Sequence, residues 1–72
     1  MIEPGTVVEI QRSTLVRHPQ GEGIARTLAL AAGERVVVHA YPVDRPELVE
    51  VELVERPDLE PPTAYVRLDA VA

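Results

Sequence analysis

His18 and His39 are the only imidazoles in the chain, and with twelve carboxylates they are where metal binding or proton transfer would have to arise. Neither histidine has a second ligand at the tight spacing that a zinc or nickel site uses, so a metal site built from His18, His39 and nearby carboxylates is the weakest reading. Ser13 is the single serine, and no residue near it reads as the base of a nucleophile. Cysteine is absent, which removes thiolate chemistry and disulfides together. "GEGIAR" at 21–26 is a poor phosphate loop, because no convincing helix follows its glycines. The residues therefore point away from an enzyme, and they call for no cofactor.

What remains is binding chemistry. Glu50 and Glu52 lie two apart in an alternating segment, which puts both carboxylates on one strand face about 7 Å apart. Such a pair suits an Arg-rich partner surface; it also suits a solvated face that discourages edge-to-edge aggregation. Tyr41 and Tyr65 are the only aromatic residues. Tyrosine serves interfaces well because it offers a large amphipathic area with few rotamers, and the same property lets it cap a core.

Charge narrows the partner. Residues 1–46 hold five Arg against five acids, and residues 47–72 hold two Arg against seven, so the second segment carries the whole net charge of −5. A phosphate backbone would be repelled there, and no basic stripe compensates, which argues against nucleic acid. "MIEPGTVVEI" lacks the charged start and apolar run of a signal peptide, and no apolar stretch approaches a membrane span. The expectation is a cytoplasmic protein that does not engage a membrane.

The elements that must position these groups are short. "TVVEIQ" (6–11) follows a Pro4-Gly5 turn and reads as a strand with Val8 and Ile10 on one face. "RSTLVRHPQGEG" (12–23) reads as a long loop around a short strand at 14–16, leaving His18 in solvent. Residues 24–32 are open between a helical turn, with Ile24, Leu28 and Ala31 on one face, and a strand. "RVVVHAY" (35–41) is a strand by its β-branched run. "VEVELV" (49–54) alternates strictly, and "AYVRL" (64–68) does the same.

One near-repeat punctuates the second half. Val43-Asp44-Arg45-Pro46-Glu47-Leu48 returns eleven residues later as Val54-Glu55-Arg56-Pro57-Asp58-Leu59. Proline donates no ladder hydrogen bond and disfavours helical backbone in the residue before it. The two copies are therefore predicted to be turns bracketing one strand, not a duplicated recognition motif.

Four to five short antiparallel strands with at most one short helical turn predict an all-β fold, a single SH3-like small barrel spanning residues 1–72. The run "RHP" (17–19), "GERV" (33–36), "DRP" (44–46), "VEVEL" (49–53) and "YVRLDAV" (65–71) resembles the variable subunit of ferredoxin–thioredoxin reductase. That resemblance implies a barrel without a cofactor of its own, packed on an iron–sulfur catalytic subunit. It also implies contact regions at His18-Pro19 and Arg45-Pro46. The functional expectation is a non-catalytic accessory or docking subunit that stabilises a protein partner, with His18, Pro19, Tyr41, Arg45, Glu50, Glu52 and Tyr65 as partner-binding residues. The alternative is a self-associating barrel whose homo-oligomer forms a site between subunits.

Overall fold

The structure, a computed structural model, describes residues 2–21 and 23–71, with the backbone alone at 19–21 and 24. In chain order the strands are β1 (Val7–Glu9), β2 (Thr14–Gly21), β3 (Ile24–Leu30), β4 (Arg35–Ala40), β5 (Leu48–Glu52) and β6 (Thr63–Arg67), followed by a 3-10 turn at Leu68–Ala70. They form two antiparallel sheets, one with strand order β1-β4-β5-β6 and the other the β2–β3 hairpin.

Strict alternation builds the core. β4 buries Val36 and Val38, β5 buries Val49 and Val51, and β6 buries Ala64 and Val66. The hairpin answers with Val16, Leu28 and Leu30, while Ile10, Leu53, Ala70 and Val71 close the ends of the same cluster. Each fully buried Val, Leu or Ile contributes about 1.5–3 kcal/mol relative to exposure. This aliphatic layer holds the two sheets together.

The SH3-like barrel expected from the sequence is not formed. Both sheets are open, and among the described residues no backbone ladder joins β6 to β2 or β3 to β1. The two sheets meet through side chains where β2 packs beside β6. Pro61 and Pro62 precede β6 and have no N–H to offer a neighbouring strand. A side chain takes the place of the ladder there: His18 donates from Nε2 to the Pro61 carbonyl. At the other side β1 has only three residues, and all three pair with β4.

One further expectation changes and one open alternative is resolved. The short strand expected at 14–16 extends to residue 21 through what was expected as loop, because a register irregularity between Pro19 and Gly21 absorbs the breakers without ending the hairpin. Residues 24–30 are strand as well: Leu28 and Leu30 enter the core while Ala29 faces out. Six strands thus replace four or five. The turns follow their residues. Thr6 N–H donates to Glu3 O at 3.2 Å across Pro4-Gly5, with φ +92° at Gly5, as a type II turn requires. Among the described residues, no helix is long and apolar enough to cross a membrane.

Candidate functional site: the outer face of β5 and β6 and the turn before it

Side chains that β5 and β6 do not send into the core stand on the outer face of the four-stranded sheet. The register places Glu50 between Ala40 and Tyr65, Glu52 between Val37 and Thr63, and Leu48 beside Arg67. Directly opposed residues have Cβ atoms about 4.5–5.5 Å apart, so Glu50 and Tyr65 are neighbours. Glu52 is already engaged, accepting from His39 Nε2 at 3.0 Å. Arg67 holds Asp69 through two contacts, Nε to Oδ1 at 3.3 Å and Nη2 to Oδ2 at 3.2 Å. This guanidinium keeps the Asp69 carboxyl below the usual carboxylate range.

The turn into β5 completes the surface. Arg45 N–H donates to Pro42 O at 3.3 Å and Leu48 N–H to Arg45 O at 3.0 Å, so the segment is two successive turns that share Arg45. They carry Pro42, Asp44, Arg45 and Leu48 against Tyr65, around a depression of about 180 Å³. Arg45 reaches back to Glu47 at 3.1 Å and stays exposed. The Glu47 carboxyl is lowered first by its own backbone amide and then by Arg45. Val43, between two lining residues, is 98% exposed, and Tyr65 is 49% exposed. An apolar knob, a half-free phenol and a guanidinium thus share one rim, with Asp44 and Glu50 as anions that make no ion pair among the described residues.

The seven expected residues divide. Arg45, Glu50 and Tyr65 come together here, and Glu52 is on the same face. Tyr41 does not join them. Its hydroxyl donates to Ile2 O at 2.8 Å and accepts from Ile2 N–H at 3.0 Å, which fastens the first residues to the fold. His18, expected in a solvated loop, is 0% exposed in the core beside the seam. It shows no outward surface to a partner. Pro19 lies outside the residues whose side chains are described. His39 stands on the outer face and His18 on the inner, so they cannot share an ion, and among the described residues no cluster of three or more His, Cys, Asp or Glu suits a metal.

Sequence reasoning missed Val43, Pro42 and Leu48. A valine inside a turn carries no periodic signal, and only its contrast with Val54, its counterpart in the near-repeat, singles it out. Compared with protein-family models, with curated proteins and with solved structures, the chain matches none. The barrel implied by the ferredoxin–thioredoxin reductase resemblance is not the architecture formed, and that identity is set aside.

Proposed function

We propose that this chain is a non-catalytic accessory module that docks onto a partner protein through the rim around Arg45, Tyr65 and Glu50. The observation that carries the reading is the depression itself, lined by half-exposed Tyr65, with exposed Val43 in the turn that forms one wall. Tyrosine and arginine are the residue types that anchor protein interfaces, and Tyr65 and Arg45 both line this depression. Asp44, Glu50 and Glu52 favour a partner that presents Arg or Lys around one apolar side chain. The same charges disfavour nucleic acid. A cytoplasmic setting belongs to this reading, since a small domain there does without disulfides.

The test compares baits. Wild-type chain and an Arg45→Glu, Tyr65→Ala variant are used to capture proteins from native extract, with quantitative mass spectrometry of both. One stoichiometric protein depleted about tenfold on the variant, whose purified form then raises the Tm of the wild-type chain by mass action, supports the reading. Identical captures by the two baits overturn it.

A further inference from the structure

Of the seven arginines in the chain, Arg35, Arg45, Arg56 and Arg67 make ion pairs. Arg12, Arg17 and Arg26 make none among the described residues, and all three are exposed in or beside the β2–β3 hairpin. The outer face of that hairpin pairs Leu15 with Ala29 and Arg17 with Thr27, and all four are exposed. Leu15 is 71% exposed. It borders an apolar hollow of about 280 Å³ whose walls include Ala29 and Ala31. The hairpin therefore presents a hollow beside an unneutralised cation. The rim of the four-stranded sheet presents the complement: Val43 and Tyr65 as knobs beside Asp44 and Glu50.

Both faces point away from the shared core, so one molecule cannot bring them together. Two molecules can. We propose that copies of this chain associate head to tail, the hairpin face at Leu15 and Arg17 of one copy seating on the Val43, Asp44 and Glu50 rim of the next. The two patches differ, so the contact is heterologous, and each added copy leaves one patch open at either end. Growth beyond two copies follows, either into a ring or into an open chain. Because Arg17 and Asp44 are exposed and Glu50 is only half-buried, the contact weakens at high ionic strength, where the Debye length falls to about 3 Å at 1 M salt. A partner bound at the rim would end the chain of copies at that point.

Sedimentation velocity over a concentration series of the full chain tests this. The expected result is an average mass that climbs past two copies at low salt and returns to the monomer near 1 M salt. Arg17→Glu and Glu50→Arg should each give monomers while keeping the wild-type Tm measured in dilute solution, since neither side chain enters the core. The Arg17→Glu, Glu50→Arg double variant, and an equal mixture of the two single variants, should associate again. A wild-type monomer up to about millimolar concentration, a dimer that does not grow, or a double variant that stays monomeric overturns the proposal. The Arg17→Glu bait also separates the two readings, because it should lose self-association and still capture the partner.

Discussion

The two copies of the near-repeat have the same backbone and different commitments. In the first, Arg45 N–H bonds Pro42 O and Leu48 N–H bonds Arg45 O; in the second, Arg56 N–H bonds Leu53 O at 3.1 Å and Leu59 N–H bonds Arg56 O at 3.2 Å. Each partner is displaced by eleven positions. The side chains then part company. Arg56 clasps Glu34 with Nε and Nη2, both at 2.9 Å, and gives Nη2 to Ala29 O at 2.7 Å. It thereby ties the loop after β5 to β3 and to the turn before β4. Glu55 is bonded by Arg35 at 2.8 Å, whereas Asp44, its counterpart, has no ion pair among the described residues. Val54 is 43% exposed against 98% for Val43. One set of residues is spent on the fold and the other is left to solvent, which singles out the proposed docking rim more sharply than composition does.

Substitutions at matched positions should widen or close that difference. Leu53 is 1% exposed, and Leu53→Ala should cost about 2–4 kcal/mol of stability by leaving a core cavity. Pro42→Ala, eleven residues earlier, should cost under about 1 kcal/mol; urea denaturation of both variants measures the gap. Arg56→Ala should cost about 2–3 kcal/mol, because the Glu34 side chain is only 9% exposed and would lose its charged donors. Arg45→Ala should change stability by less than about 0.5 kcal/mol, as exposed pairs do. Equal losses at Arg45 and Arg56 would erase the distinction drawn between the two turns.

The smallest expected effect is on pH dependence. Arg35 lowers the Glu55 carboxyl, and a backbone amide with Arg45 lowers that of Glu47. A carboxyl depressed in the folded state stabilises above its unfolded pKa of about 4.3, and that contribution is lost as pH falls through the folded value. The Tm should therefore decline below about pH 4. Glu55→Gln should flatten part of the decline, as should Glu47→Gln. A Tm that rises on acidification would contradict the direction of both shifts.

Much of this was legible in the residues. Val49, Val51 and Leu53 alternate with Glu50 and Glu52, and the strand and its acidic face follow directly. Two prolines at matched offsets disclosed the paired turns. The hairpin was obscured because Pro19, Gly21 and Gly23 carry the signals of a loop, and the register irregularity that accommodates them is a tertiary outcome. The helix-or-strand ambiguity at 24–32 arose because Ala and Leu favour a helix locally, and burial of Leu28 and Leu30 against the second sheet decided it. Closure into a barrel was the wrong inference from short antiparallel strands: strand count and punctuation do not say which edges will ladder, and six strands form two open sheets. The rim at Val43 was invisible for a different reason, since exposure in a turn leaves no period to detect.

Bracketing by paired turns also constrains how the chain can change over time. The stretch between the brackets runs from Leu48 to Glu52 with its odd and even positions assigned to opposite sides. Loss or gain of a single residue there would turn Glu50 and Glu52 toward the aliphatic layer and expel Val49 and Val51. A change of one residue in the eleven-residue spacing would therefore need a bulge to restore the facing, as β4 already has between Val38 and Ala40 where it pairs with β5, whereas a change of two keeps it.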